Sequence, residues 1–530
     1  MGLPSSWPLL LFTALQGLWA LAGALCLAAG VVLVVRPGAA AEAERRLAGR
    51  APALFLGAAL PAVLCIFKLA QHGFHYLLID SGQLGNLAWN FSHGYGFIAS
   101  ALAERNYLAV HFAFAGMLLS PLLWLRSDVL VLVLAETVLV GTSVLAVYEL
   151  ARLQLKRRLP ALCLALLLAS CPLFFHSVAS IFNNTQLALP FFLWGIYCWE
   201  TKRFKAAAVL ALLFLTTREQ APLVFVGAGL LLATRGRARQ GFALAAAALA
   251  LLLAEMAVVA RFERACAHHY TMWELWNVNL GRSAAEVRGN LLARPWIFAR
   301  ELVYPPAKLL IPLKTFASLA FLPLLSGTLL LPASIVWIPQ QLGQSGEWLT
   351  LTGHHAALLA GPLAWAAVHG LRRFQERASP AARRLGLAWI LAVCGGSFAA
   401  ADFMPGPESL IMNTWLESAP RMLASIPPRA KVWCDEYLAA DLAMRRYLRP
   451  LPYEPNDYFF EDNLFVPDRV VLSKRWLALC QREPRARILR LLQELGFRAA
   501  YQDESFIVLA NPRTRADGSE PAEFLRLPGE

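Results

Sequence analysis

Charge is what this sequence has least of. Only 16% of its 530 residues are Asp, Glu, Lys or Arg, while 58% are hydrophobic. A soluble domain carries about a quarter charged residues, so the deficit excludes an ordinary soluble chain and points to a membrane protein. No basic-aromatic stripe and no zinc-like Cys/His spacing is present, which leaves no sequence grounds for a nucleic acid partner. No Gly-rich phosphate loop sits between a strand and a helix, so nothing indicates a nucleotide site. Internal repeats of the transporter kind are absent too. Of the nine cysteines, Cys26, Cys65, Cys163, Cys171, Cys198 and Cys394 lie inside apolar runs and read as small core residues. Cys434 and Cys480 share the hydrophilic C-terminal region; pairing them requires an oxidising compartment, and no spacing rule decides it.

What the chain does have is apolar runs, recurring from Pro8 to Ala401. The first, Pro8 to Val34, lacks the basic start of a cleaved signal and is long enough to span, so it is expected to stay as a helix. Expected spans are 8–35, 51–70, 128–151, 159–178, 186–200, 204–217, 221–234, 241–260, 308–325, 327–341, 355–371 and 385–401. The expected fold class is therefore a polytopic α-helical membrane protein of about 12 transmembrane helices, followed by a small soluble α/β domain.

The net charge of +13 is concentrated in loops at 36–50, 152–158, 201–205, 234–240 and 372–384. Placing all five on the cytoplasmic side requires an even number of crossings between consecutive clusters. That holds only if VHFAFAGMLLSPLLWL (110–125) lies in the interface instead of crossing. The other side then collects 71–127, IFNNTQ, TTREQ, 261–307, 340–355 and everything after Ala401, where most chemistry-capable residues stand. The expected domains are 1–50 (an extra helix and basic loop), 51–401 (the transmembrane domain, with first external loop 71–127) and 402–530 (soluble, non-cytoplasmic). In the last, RAKVWCD, DRVVLS and FIVLA read as strands, and EYLAADLAMRRYL and EPRARILRLLQELGF as helices.

Asp80, in LLIDSGQLGNLAWNFSHGYGF, stands where an apolar run meets water. It reads as a helix N-cap with Gln83 at the capping-box position. The helix beyond it is amphipathic, with Leu84, Leu87 and Phe91 on one face and Asn86, Asn90 and His93 on another. The same carboxylate, beside a bilayer, is also placed to deprotonate an acceptor hydroxyl or to bind a divalent metal that neutralises a phosphate. Trp89, Tyr95 and Phe97 fit interfacial anchors or sugar-stacking faces. Arg105 is a candidate phosphate partner and His111 a lone histidine. Arg218 and Glu219, between two apolar runs, fit either a functional cavity or a structural ion pair. The pairs His268–His269 and His354–His355 fit polar loops better than metal ligands, because adjacent histidines rarely point the same way.

The sequence Asp80-x-Gly82, Trp89-Asn90, His93-Gly94 and Gly96-Phe97 resembles the start of the bacterial membrane proteins of domain-of-unknown-function family 2079. NYLAVHF (106–112), TREQA (217–221), GHHAALLAGPLAWAAVHGLRR (353–373) and IPPRAKVW extend the likeness over most of residues 51 to 510. That family in turn resembles the glycosyltransferase-C superfamily, multi-span enzymes that transfer sugars from polyprenyl-phosphate donors. The resemblance implies that Asp80 matches the superfamily's acidic position and that 110–125 is a juxtamembrane helix. It makes Asp80 the catalytic candidate, with Arg105, His111, Arg218, Glu219, Trp89, Asn90, Asn183, His354 and His355 as substrate contacts. The chain departs from the family's pattern at Val110, where an acidic residue is frequent, and at Asn183, where a histidine is common. If those groups bind metal or phosphate, part of that capacity is lost here.

The function expected from these residues is transfer of a hexosyl or pentosyl group from a polyprenyl phosphate, on the non-cytoplasmic face of the inner membrane. A transporter or lipid-handling protein and a non-catalytic scaffold remain as alternatives.

Overall fold

The computed structural model describes residues 7–73, 78–102, 105–179, 182–263, 277, 279–343, 356–401, 415–451 and 465–514. The chain is mostly helical, with a small sheet near its C-terminus. The main helices are α1 (Trp7–Val35), α2 (Ala51–Gly73, with a π-helical turn over Phe55–Ala59), α3 (Leu78–Ser92), α4 (Val129–Leu155), α5 (Arg158–Ser170) and α6 (Pro172–Ala179). They continue as α7 (Ala188–Glu200), α8 (Phe204–Leu215), α9 (Pro222–Thr234), α10 (Ala238–Glu263), α11 (Leu331–Leu342), α12 (Ala357–Arg377) and α13 (Pro380–Ala400).

Among the described residues, α1, α2, α4, α10 and the segment Leu322–Leu342 are long and apolar enough to cross a membrane. The pair α5–α6, bent by 51°, raises that number to as many as six. Proline causes the bend: Pro172 cannot continue the helix begun by α5, and Cys171 adopts an extended conformation before it. Helices α8 and α9 are shorter apolar helices joined by a buried connection. The expected span 308–325 is divided into a helix over Leu310–Ser318 and a 3-10 stretch over Leu322–Leu330. Between them Ala320 and Phe321 take left-handed conformations (φ 53° and 60°), which end the helix. The stretch Ala115–Trp124 forms a 3-10 helix of 10 residues. At about 2 Å per residue it reaches roughly 20 Å, too short for a hydrocarbon core of about 30 Å.

The sheet region contains β3 (Val432–Asp435), β4 (Leu448–Leu451), β5 (Arg469–Ser473), β6 (Arg498–Gln502) and β7 (Phe506–Ala510), in the order β4-β3-β5-β7-β6. A two-stranded ladder, β1 (Ile98–Ala99) with β2 (Arg105–Asn106), precedes them in the chain. Strands β4, β3 and β5 are parallel, while β7 and β6 are antiparallel additions. Side chains alternate across β3. Val432 and Cys434 enter one core with Met422, Leu442 and Val508, and Trp433 enters the opposite core with Trp476, Cys480 and Ile488. Cys434 and Cys480 therefore lie on opposite faces of the sheet, and both are free thiols.

Three of the sequence expectations are corrected here. EYLAADLAMRRYL is not a helix: a 3-10 turn over Glu436–Leu438 gives way to turns and then β4. The buried Arg445 guanidinium donates to the carbonyls of Leu442 and Ala430 at 2.7 and 3.2 Å, taking up a main-chain acceptor that a helix would have used. Asp80 is not an N-cap, because α3 already includes Leu78; the residue lies in the first turn. Two of the three residues on the polar face of α3 do not meet water either, and only His93 at its end is exposed. Leu84 and Leu87 pack on Val129, Leu132 and Val133, while Asn86 and Asn90 are fully buried on the side of the sheet region. Glycine makes this possible, since a Cβ on Gly82 would sit 2.5 Å from the Ala439 Cβ.

Candidate functional site

The buried connection between α8 and α9 positions the site. Thr217 turns its hydroxyl onto the Phe214 carbonyl at 2.6 Å, and Pro222 opens α9 at a position where no backbone N–H is needed. The Thr216 carbonyl accepts the N–H groups of Phe114 and Ala115 at 2.9 and 3.1 Å, fastening the connection to the start of the 115–124 helix. Arg218 and Glu219 are thereby held inside the protein, at 4% and 6% exposure.

Around them three chain segments converge. The Glu219 Oε1 atom lies 3.2 Å from His111 Nδ1 and 3.5 Å from Arg218 Nε. Arg218 Nη1 donates to the Thr185 hydroxyl at 3.2 Å. Thr185 belongs to a 3-10 turn over Asn184–Leu187 capped by Asn183, whose side-chain oxygen accepts the Thr185 N–H at 3.0 Å. Asn184 ties that turn to the 115–124 helix: its Nδ2 donates to the Ala113 carbonyl at 3.1 Å and its Oδ1 accepts the Gly116 N–H.

Burial alone would raise the Glu219 carboxyl. His111, Arg218 and the hydrogen bonds it accepts outweigh that and hold it well below the usual carboxylate range. For His111, burial and the Arg218 charge outweigh the pull of Glu219 and lower its affinity for a proton. A neutral His111 makes Arg218 the lasting counter-charge of Glu219, and the imidazole Nδ1–H then donates to the carboxylate. The ion pair is desolvated and is held by His111 on the carboxylate and Thr185 on the guanidinium.

The polar band continues under the turn. Glu136 on α4 accepts the Asn183 N–H at 3.1 Å and couples electrostatically to Lys68 on α2, with both side chains about 1% exposed. The α3 helix joins from the other side, where the fully buried Ser81 hydroxyl accepts the Phe182 N–H at 2.9 Å. Asp80 is the neighbouring residue in the first turn of α3; its side chain lies outside the described residues.

Of the residues expected from sequence, His111, Arg218, Glu219 and Asn183 come together. Trp89 and Asn90 lie farther along α3. Trp89 stacks on His93 at 4.0 Å between ring centroids, and the Asn90 amide donates to Asn86 Oδ1 and to the Ile98 carbonyl. Arg105 pairs by its backbone with Ala99 in the β1–β2 ladder, and its side chain is outside the described residues. So are His268, His269, His354 and His355. Among the described residues no group of three His, Cys, Asp or Glu is placed to hold a metal ion. Sequence reasoning missed Lys68, Glu136, Thr185 and Asn184. Two of these carried a signal, being single charges within the apolar runs CIFKLA and VLAETVL.

The model of the predicted membrane protein family DUF2079 matches residues 80–508, and the chain belongs to that family. No curated protein matches it. The match takes in the Arg218–Glu219–His111 cluster, the 183–185 turn and nearly all of the sheet region, and leaves out α1 and α2.

Proposed function

We propose that this DUF2079 protein is a glycosyltransferase, moving a hexosyl or pentosyl group from a polyprenyl phosphate to an acceptor on the non-cytoplasmic face of the inner membrane. The observation that carries the reading is Arg218, a guanidinium 4% exposed at the break between two apolar helices, with Glu219 and His111 beside it. A desolvated cation at that place suits the phosphate of a lipid-linked donor. On this reading the chain crosses the membrane about 12 times in a glycosyltransferase-C-like arrangement. The sheet region then stands on the same side as α3, outside the cytoplasm.

The chemistry asks little of the protein. The acceptor oxygen attacks the anomeric carbon with inversion as the bond from that carbon to the phosphate oxygen breaks, and the phosphate leaves with the electron pair. Asp80 takes the acceptor's proton, Arg218 stabilises the charge on the leaving phosphate, and Glu219 and His111 hold Arg218 in place. Arg105, Asn183, Trp89, Asn90, His354 and His355 are further contacts in the same proposal.

One observation favours a second reading, a transporter or lipid-handling protein. The bent α5–α6 pair and the buried charges of α2 and α4 are also the marks of discontinuous transport helices. Full-length protein in nanodiscs, given labelled polyprenyl-phosphate sugars, separates the two. Transfer by wild type that is lost in Asp80→Asn and reduced at least tenfold in Arg218→Gln fits the transferase. No transfer from any donor, with uptake of the same lipids into vesicles, replaces it with transport.

A further inference from the structure

Helix α10 turns most of its surface outward, with Phe242, Leu249 and Leu253 exposed. Its apolar stretch FALAAAALALLLAEMAVVA carries a single carboxylate, Glu255, and that residue is turned inward, 2% exposed. The helix packs against the 3-10 turn Tyr107–Ala109, just before His111. Glu255 feels the charge of Glu219, and its helix and His111, which bonds Glu219, meet at the same 107–109 turn. Glu219 Oε1 is shared by His111 and Arg218, while the Oε2 atoms of both Glu219 and Glu255 are buried with no hydrogen-bond partner among the described residues. Native interiors rarely leave buried acceptors without donors, and each exception calls for an explanation such as a catalytic role, a water or a bound group. A carboxyl oxygen of this kind is completed by a hydrogen-bond donor.

We propose that Glu219 and Glu255 form a subsite for the hydroxyl groups of a sugar. Carboxyl oxygens accept hydrogen bonds from hydroxyl groups, and a carboxyl that keeps its proton also gives one, so the pair suits a ligand that brings several O–H groups. Arg218, on the Glu219 side of the pair, then sits where a phosphate attached to that sugar would lie. The inference rests on the transferase reading only for the sugar's attachment to a lipid. The subsite itself stands on the two unpartnered oxygens.

The test uses full-length protein in nanodiscs, with polyprenyl phosphates carrying a hexose or pentose, the free monosaccharides, and their single-deoxy analogues as probes. Binding is read by equilibrium titration, and unfolding without ligand is compared to establish that Glu255→Gln folds. Wild type should bind at least one sugar probe, and Glu255→Gln should bind it at least tenfold more weakly. One deoxy analogue should lose a similar factor on wild type and little further on the variant. Binding of free sugars as well as lipid-linked ones identifies the sugar alone as the ligand; binding of lipid-linked sugars only shows that the phosphate is needed too. Equal affinity of wild type and Glu255→Gln overturns the subsite, as does the absence of binding by every probe, which leaves the oxygens to ordered water. Sugar binding without transfer keeps the subsite and removes the transferase. Transfer and binding untouched by Glu255→Gln do the reverse.

Discussion

The side-chain amide of Asn86 donates to the main-chain oxygen of Arg445 at 2.7 Å, across 359 residues of sequence. The same nitrogen reaches the Ala443 carbonyl at 3.2 Å, and the Asn86 oxygen accepts the Ser100 N–H and hydroxyl, both at 3.0 Å. One buried amide thus joins α3, the segment after it and the sheet region. Replacing Asn86 with leucine takes this partner from the buried Arg445 carbonyl and Ser100 N–H, each at a cost of about 1–3 kcal/mol, while the Ala443 carbonyl keeps the Arg445 N–H at 2.8 Å. The expected outcome is a lower unfolding midpoint and faster proteolytic release of the C-terminal region. Unchanged proteolysis would mean that the contact does not hold the sheet region in place.

The approach of Gly82 to Ala439 predicts a size-compensated pair. Gly82→Ala puts a methyl group 2.5 Å from the Ala439 Cβ and should destabilise by about 1–3 kcal/mol through overpacking. Ala439→Gly alone should cost less, and the double variant should recover only part of the first loss, because the Ala439 carbonyl carbon and oxygen, 2.6 and 2.8 Å from the added methyl, stay in place. Thermal unfolding of the four proteins measures the coupling. Simple additivity would place the strain elsewhere.

The His111–Glu219 pair sets a pH dependence. Burial and Arg218 depress the His111 pKa, so the folded protein binds its proton less readily than the unfolded chain does. Stability from this group is therefore full above the ordinary histidine value of about 6.5 and falls as pH drops through the folded value. Glu219, also depressed in the folded state, keeps its contribution above the ordinary value of about 4.3 and loses it only in stronger acid. Unfolding midpoints measured from pH 8 to 5 should decline for wild type and decline less for His111→Gln. Identical slopes in the two proteins would contradict the assignment. Glu219→Gln should be far more damaging at neutral pH, by about 3–5 kcal/mol, since it strands a buried guanidinium.

The sequence made the membrane class legible, because long apolar runs have few other uses. It also marked Arg218 and Glu219, since ionisable pairs between apolar helices stand out from their surroundings. What it left obscure depends on tertiary contact. The alternation of Leu84, Leu87 and Phe91 with Asn86 and Asn90 has the same periodicity whether the asparagines meet water or another part of the fold. Only the Ala443 and Arg445 carbonyls distinguish the two. EYLAADLAMRRYL has strong helix formers throughout, yet the inward Arg445 and the small residues against α3 decide against a helix. Thr185 and Asn184 carry no unusual signal in IFNNTQ; they matter because the fold brings Arg218 and Gly116 to them.

Lys68 and Glu136 provide the remaining prediction. Both are buried inside apolar helices, and Glu136 also holds the Asn183 N–H that fixes the turn bearing Thr185. Lys68→Met takes away the group that couples to Glu136 and should destabilise by about 1–3 kcal/mol, the cost of a buried polar group that loses its partner. Glu136→Gln in the same chain replaces the unpartnered carboxyl with an amide while retaining an oxygen for the Asn183 N–H. The double variant should therefore be more stable than Lys68→Met alone, with the 183–185 turn and its bond to Arg218 preserved. Unfolding midpoints test the first part. Hydrogen exchange at Asn183 and Thr185 tests the second: protection should fall in Glu136→Leu, which offers no acceptor, and persist in the double variant. If Glu136→Leu keeps full protection, the carboxylate does not support the turn, and the Lys68–Glu136 pair is separate from the Arg218 cluster.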